Sequence, residues 1–118
     1  MRQAPAIEAY GGGGFRVAGE RIDGSLLILD DVARPWSVRN LADLQPSDFD
    51  LILAADRSAV EFVLLGLGAA MVPPPKAVRE ALRTAGLGLE VMDTVAACKL
   101  YNVLASDGRR IASALIAI

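Results

Sequence analysis

Two short loops carry the residues of this chain whose types and spacing could support chemistry. Gly66 and Gly68 follow one apolar segment, and Asp93 and Thr94 follow another. Glycine lets a ligand approach the backbone closely, and a threonine hydroxyl can donate or accept a hydrogen bond. Ligands of parallel sheets gather beyond the carboxyl ends of the strands. These four residues therefore form a predicted pocket if the two segments are neighbouring strands.

A helix is predicted to begin near Thr94. We therefore favour a structural role for the second loop over a ligand-binding role. Asp93 or Thr94 would cap unpaired backbone amides of the first turn, a role typically worth about 1 kcal/mol. Further along the helix, Tyr101 and Asn102 are either polar groups of the predicted pocket or a hydrogen-bonded pair at the far end of the helix. The sequence does not decide between these two roles.

The chain contains one cysteine and no histidine. A Ser-His-Asp triad, a Cys-His dyad and a histidine-containing zinc site are therefore excluded within one copy. Cys98 lies one turn into the predicted helix, where a thiol pKa can be lowered, but its small-residue face suits tight packing against a sheet. We predict that Cys98 is buried, and we assign no catalytic residue, no metal and no cofactor.

Length and charge restrict the class of protein. A chain of 118 residues fits one domain, here predicted over residues 1–118. Twelve basic and fourteen acidic residues give a net charge of −2, and the absence of a basic cluster disfavours nucleic-acid binding. The longest uncharged run, 62–75, is too short to span a bilayer, which needs about 20 apolar residues. The start, 1–5, has no signal-peptide pattern, so we expect a cytoplasmic bacterial protein.

The first forty residues have the pattern of strands joined by glycine turns. Four consecutive glycines, 11–14, disfavour helix, and no Lys-Ser/Thr pair follows them, so we interpret them as a turn and not as a phosphate loop. Trp36 follows a proline in an extended segment and is expected to cover the sheet. The predicted strands are Ile7 to Tyr10, Phe15 to either Val17 or Ile22, and Ser25 to Leu29.

The rest of the chain alternates between helical and strand patterns. Such alternation favours neighbouring parallel strands. With the antiparallel first part, it predicts a three-layer mixed α/β domain. The predicted helices are 46–55, 75–85 and 94–105, and the predicted strands are 60–65, 89–92 and 111–116.

Several modest motifs occur in one order along the chain and together resemble a known family. They include Ile7-Glu-Ala-Tyr-Gly-Gly-Gly-Gly-Phe15, Arg34-Pro-Trp36, Leu64-Leu-Gly-Leu-Gly-Ala69, Pro73-Pro-Pro75 and Met92-Asp-Thr94. The family is that of mitochondrial respiratory complex I (NADH:ubiquinone oxidoreductase) assembly factor three and its prokaryotic relatives. The resemblance implies a compact α/β fold with a hammerhead-like strand arrangement in the first half. Relatives commonly have Gly-Thr-Gly where this chain has Gly66-Leu-Gly68, so no role of that threonine carries over.

Two functional hypotheses follow from these features. The first is a noncatalytic interaction or assembly protein with an unidentified protein partner and, by resemblance, a link to respiratory-complex assembly and peripheral association with a membrane assembly. The alternative is a small-molecule-binding or enzymatic domain that uses the two loops. The uncharged end, 114–118, favours an exposed apolar patch or sheet edge for docking or weak self-association, unless the last strand is internal.

Overall fold

A computed structural model describes residues 3–69 and 72–118, so Met1, Arg2, Ala70 and Met71 lie outside the description. The strands are β1 (Ile7–Gly11), β2 (Gly14–Val17), β3 (Glu20–Asp23), β4 (Ser25–Leu29), β5 (Val32–Trp36), β6 (Phe62–Gly66), β7 (Gly88–Met92) and β8 (Ala112–Leu115). The α-helices are α1 (Asp50–Ala54), α2 (Lys76–Thr84) and α3 (Thr94–Ser106).

The strands form two sheets. An antiparallel sheet has the order β1-β2-β3, and a five-stranded mixed sheet has the order β5-β4-β8-β6-β7. In the larger sheet, β6 is parallel to both β7 and β8, whereas β4 is antiparallel to β5 and β8. The predicted mixed α/β class is thus confirmed, with an antiparallel N-terminal part and a C-terminal β-α-β-α-β part.

Alternating side chains of the central strands divide the core into two layers, because successive residues of a strand point to opposite faces. On one face, Leu65 and its neighbours pack against α2 and the segment around α1. On the other face, Leu64 and its neighbours pack against α3 and the smaller sheet. The larger sheet is therefore the middle of three layers, and full burial of each such aliphatic side chain contributes roughly 1.5–3 kcal/mol.

Turns in the first third are sharper than the sequence suggested. Gly12 and Gly13 have φ values of 62° and 80° and close the β1–β2 hairpin, as predicted for a glycine turn. The second strand ends at Val17, the shorter of the two predicted ends. Ala18 and Gly19, with φ values of 50° and 84°, reverse the chain, and β3 then pairs antiparallel with β2. A turn with a non-glycine residue at positive φ is difficult to predict from sequence, because such residues are uncommon.

The predicted helix over 46–55 is two shorter elements. A 3₁₀ turn covers Pro46–Phe49, and α1 follows it directly. Trp36 lies over this segment as expected for a core residue. Its ring contacts that of Phe49 edge-on, with centroids 5.6 Å apart, and its Nε1 donates a hydrogen bond to the Asp48 carbonyl at 2.9 Å.

The expectation that the uncharged end forms an exposed patch or sheet edge needs correction. Strand β8 lies in the middle of the larger sheet, between β4 and β6, and residues 111–116 are all buried. An internal strand and an edge strand have the same absence of charge, so composition alone could not separate them. The edges of this sheet are β5 and β7.

Candidate functional site

Neighbouring strands bring the two predicted loops together. Because β6 and β7 pair in parallel and in register, their carboxyl ends lie side by side. The Thr94 amide donates to the Gly68 carbonyl at 2.9 Å, and the Leu67 amide donates to the Met92 carbonyl at 2.9 Å. These bonds tie the loops directly to each other.

The Thr94 hydroxyl is fully engaged in this connection. It accepts a hydrogen bond from the Gly68 amide at 2.9 Å and donates one to the Ile116 carbonyl at 2.7 Å. The residue is completely buried. The hydroxyl therefore joins the ends of three strands, β6, β7 and β8, and its donor is already used.

Gly66 is required by close packing at the same place. A Cβ at this position would lie 3.0 Å from the Leu115 Cδ2 atom and 3.0 Å from the Thr94 Oγ1 atom. The Gly66 carbonyl also accepts a hydrogen bond from the Ile116 amide at 3.0 Å. The glycine thus allows strands and helix to approach each other, which explains its presence without a ligand.

Asp93 acts as the N-cap of α3. Its carboxylate accepts a hydrogen bond from the Ala96 amide at 2.8 Å. This is the capping role favoured from the sequence, and Asp93 belongs to the same closed junction as Gly66, Gly68 and Thr94. We call these four residues the strand-end junction.

Tyr101 and Asn102 lie elsewhere and hold the beginning of the chain. The Tyr101 hydroxyl donates to the Pro5 carbonyl at 2.7 Å. The Asn102 side chain accepts from the Ile7 amide at 2.9 Å and donates to the Ile7 carbonyl at 2.8 Å. Of the two roles left open by the sequence, these contacts match the hydrogen-bonded pair, which fastens β1 to α3.

Cys98 is buried between α3 and the sheet, as predicted. Desolvation on burial raises the pKa of its thiol from 9.0 to about 12. The thiolate is the nucleophilic form of cysteine, so burial suppresses the reactivity that a position near a helix start can otherwise confer.

An open groove lies on the other side of β7, between this strand and α2. Its volume is about 700 Å³. Leu87, Leu89 and Val91 contribute apolar surface, and the basic side chains come from α2. The complete lining is Pro73, Pro74, Lys76, Arg79, Glu80, Arg83, Leu87, Leu89 and Val91. We call this feature the α2–β7 groove.

This groove was not predicted from the sequence as a site. The charged face of α2 was visible in the spacing of Lys76, Arg79 and Arg83, but such a face is usually only solvated. Its position beside an edge strand depends on the strand order. Within residues 3–69 and 72–118, no group of three or more acidic or cysteine side chains could hold a metal ion. In the same described ranges, no helix is both long and apolar enough to cross a membrane.

Two sequence relatives place the chain in context. An uncharacterized protein of Rhodobacter capsulatus is 38% identical over 93% of this chain and 82% of its own length. NADH dehydrogenase (ubiquinone) 1 alpha subcomplex assembly factor 3 of Mus musculus is 32% identical over 97% of this chain. The chain spans only 61% of the length of the mouse protein.

A solved structure and a family model agree with these relatives. The crystal structure of an outer membrane protein from Bartonella henselae matches with a TM-score of 0.87 and 29% identity, covering 98% of this chain and 96% of that one. The family model described as "Protein of unknown function (DUF498/DUF598)" matches residues 7–116. The resemblance inferred from the motifs is thereby confirmed. This chain belongs to the DUF498/DUF598 family, among whose relatives are the complex I assembly factor 3 proteins.

Proposed function

We propose that this protein is a noncatalytic interaction protein that helps to assemble a larger complex, and that this complex is NADH:ubiquinone oxidoreductase. The name of the mouse relative supports the assembly role at the level of the family. The observation that carries the noncatalytic part is the engaged Thr94 hydroxyl, which donates to the Ile116 carbonyl and accepts from the Gly68 amide. The place where sheets of this class usually bind ligands is used for internal bonding.

Loss of the gene tests the assembly role directly. In a bacterium that encodes this chain, we expect deletion to lower the amount of assembled NADH:ubiquinone oxidoreductase on native gels, while the transcripts of its subunits stay unchanged. Expression of the wild-type chain should restore the amount. An unchanged level of the assembled enzyme in the deletion strain would contradict the proposal.

We further infer a cytoplasmic protein in peripheral contact with membrane-bound subunits. A relative of Francisella tularensis, 29% identical over 67% of this chain, is called a 13 kDa major membrane protein, and this name supports contact with a membrane. Fractionation of cells tests this location. Peripheral association predicts that the protein sediments with membranes at low salt and is released by high salt or alkaline carbonate, whereas retention after both washes would contradict it.

Small-molecule binding at the strand-end junction is the competing prediction. It requires a ligand to displace internal hydrogen bonds of a buried hydroxyl, at a cost of about 1–3 kcal/mol for each polar group left unsatisfied. Thermal-shift measurements over a panel of anions and metabolites separate the two functions. Reproducible turnover by the purified protein that is abolished by Asp93→Ala would overturn the noncatalytic proposal.

A further inference from the structure

The two edges of the larger sheet differ in how they are protected. Strand edges carry unpaired backbone groups, and proteins commonly block them with proline, charged side chains such as lysine, or bulges. Strand β5 contains Pro35, which has no amide hydrogen to donate. Strand β7, with the sequence Gly-Leu-Glu-Val-Met, contains neither proline nor lysine, and its one charged residue is Glu90. It pairs with β6 without a bulge, from Gly88 to Met92, and among the described residues no strand pairs with its outer edge.

Apolar surface lies beside this edge on the α2 side. Leu89 and Val91 are half-buried and pack against the core cluster that contains Val78 and Leu82. Both also line the α2–β7 groove. Glu90, between them in the strand, points to the opposite face because side chains alternate along a strand. The face that borders the groove is therefore apolar along β7.

The rim of the groove is basic, although the whole chain has a net charge of −2. Helix α2 supplies Lys76, Arg79 and Arg83 against one acid, Glu80. Arg83 forms an ion pair with Glu80 at 2.7 Å. Among the ion pairs of the described residues, none involves Lys76 or Arg79. Their charges remain available to an acidic partner.

We propose that an extended, acidic segment of a partner protein adds to β7 as a sixth strand and lays alternate side chains into the α2–β7 groove. The unpaired edge of β7 supplies backbone hydrogen bonds, as in other cases of strand addition. Leu89 and Val91 receive apolar side chains, and Lys76 and Arg79 attract carboxylates. This inference rests on the proposed function, because it identifies the surface by which an interaction protein would hold its partner.

A second copy of this chain fits the surface less well than an acidic segment. Antiparallel pairing of two β7 edges about a two-fold axis perpendicular to the sheet would place both α2 helices on the same face of the joined sheet. The two rims, each with Lys76, Arg79 and Arg83, would then carry like charges. Like charges brought together at an interface suppress association, whereas acidic side chains complement the rim.

Peptide binding to the full chain tests the proposal. The probe is a blocked nine-residue peptide, Thr-Val-Thr-Glu-Thr-Val-Thr-Glu-Thr, in which valine and glutamate share one face of the strand. The matched peptide replaces each glutamate by lysine. We expect saturable binding of the glutamate-containing peptide, with an affinity that falls as salt is added. The lysine-containing peptide should bind at least tenfold more weakly. Binding of the glutamate-containing peptide should also shift the NMR signals of the β7 amides. N-methylation of the glutamate-valine peptide along one edge should abolish binding, because it removes ladder hydrogen bonds and keeps the charge.

Charge reversal locates the binding surface. The double substitution Lys76→Glu and Arg79→Glu should weaken the acidic peptide at least tenfold. The matched control, Arg57→Glu with Lys99→Glu, changes two exposed charges elsewhere and should leave binding within about twofold. Three results would overturn the proposal: no saturable binding of the acidic peptide, equal binding of its N-methylated form, or a β7-mediated dimer that excludes the peptide.

The gene-deletion strain separates failure of this inference from failure of the proposed function. If the Lys76→Glu/Arg79→Glu variant loses peptide binding but restores assembled NADH:ubiquinone oxidoreductase, strand addition is not the assembly contact and the assembly role stands. If the deletion changes nothing while the peptide binds as expected, the assembly role fails and the strand-addition surface stands.

Discussion

The polar groups at the carboxyl end of β7 and those along its outer edge differ in whether the fold already satisfies them. At its carboxyl end, the strand-end junction buries the Thr94 hydroxyl and satisfies it twice within the chain. Along its outer edge, the α2–β7 groove leaves Lys76 and Arg79 without an ion pair in the described structure. The junction contains the residues that suggested chemistry, whereas the groove contains charged residues to which the sequence assigned no function.

This contrast shows that residue type alone does not identify a site. A buried hydroxyl must find partners because leaving it unsatisfied costs free energy, and Thr94 finds them inside the fold. An exposed cation has no such requirement, since water solvates it. Polar groups that can still act on another molecule are therefore expected in the groove, and substitutions at the two sides should have different consequences.

The largest expected effect concerns Cys98, on the closed α3 side of the sheet. Because its pKa is raised from 9.0 to about 12, its thiolate fraction at pH 8 should be roughly a thousandfold below that of an ordinary thiol. Rates of alkylation by iodoacetamide measure this difference. The unfolded thiol ionises first as the pH rises above 9, so Cys98 should also destabilise the fold between pH 9 and about 12.

A matched control places the thiol on the exposed face of the same helix. Val103 is 58% exposed, so a Cys98→Ala/Val103→Cys variant should be alkylated at the rate of a model thiol. Wild-type protein that reacts as fast as this variant would show that α3 does not protect Cys98.

Thr94→Val should destabilise the fold more than any other single substitution in the junction or the groove. Valine keeps the shape but removes the partner of both the Gly68 amide and the Ile116 carbonyl, which remain buried. At about 1–3 kcal/mol for a buried unsatisfied group, we expect a loss of about 2–4 kcal/mol in the free energy of unfolding, measured with urea. Thr94→Ser retains the hydroxyl and should lose about half as much. Equal losses in the two variants would argue against the hydrogen-bonded junction.

Local sequence patterns predicted most of the helices and strands. Contacts between residues far apart in sequence determine which of them form the buried junction and which border the groove. The apolar segments of β6 and β7 and the Asp93 cap depend on residues close in sequence. The partner of Thr94, in contrast, is a carbonyl 22 residues away, and no local pattern encodes it. The same holds for β8, whose central position depends on pairing with both β4 and β6. The groove also depends on strand order, because only an edge strand can border it.

Gly66→Ala should destabilise the junction by about 1–3 kcal/mol through overpacking. The new methyl group would lie 3.1 Å from the Thr94 Cα atom, which is backbone and cannot rotate away. Gly88→Ala is the control in the neighbouring strand, since its methyl group would meet only the Phe62 Cβ at 3.4 Å. We expect that variant to stay within about 0.5 kcal/mol of wild type. Melting temperatures compare the two, and a larger loss for Gly88→Ala would contradict the packing argument.

Tyr101→Phe should cost about 1 kcal/mol, the usual net contribution of one hydrogen bond. The substitution keeps the buried ring and removes the donor to the Pro5 carbonyl. Faster hydrogen exchange of the Ile7 amide would show that the beginning of the chain is less tightly held. Tyr10→Phe, at an exposed position, is the control and should leave this exchange unchanged. Unchanged exchange in Tyr101→Phe would show that the Tyr101 hydroxyl does not help to hold β1.

The smallest effects on stability are expected in the groove, where Lys76→Ala and Arg79→Ala should each change the free energy of unfolding by less than about 0.5 kcal/mol. Both side chains are exposed, and Lys76 is the first residue of α2, where a positive charge opposes the helix dipole. Arg83→Ala is the comparison, because it breaks the exposed ion pair with Glu80 and should cost about 0.3–0.5 kcal/mol. Urea titrations at low salt resolve these differences. A loss above about 1 kcal/mol for Arg79→Ala would mean that the rim supports the fold, and the contrast with the strand-end junction would no longer hold.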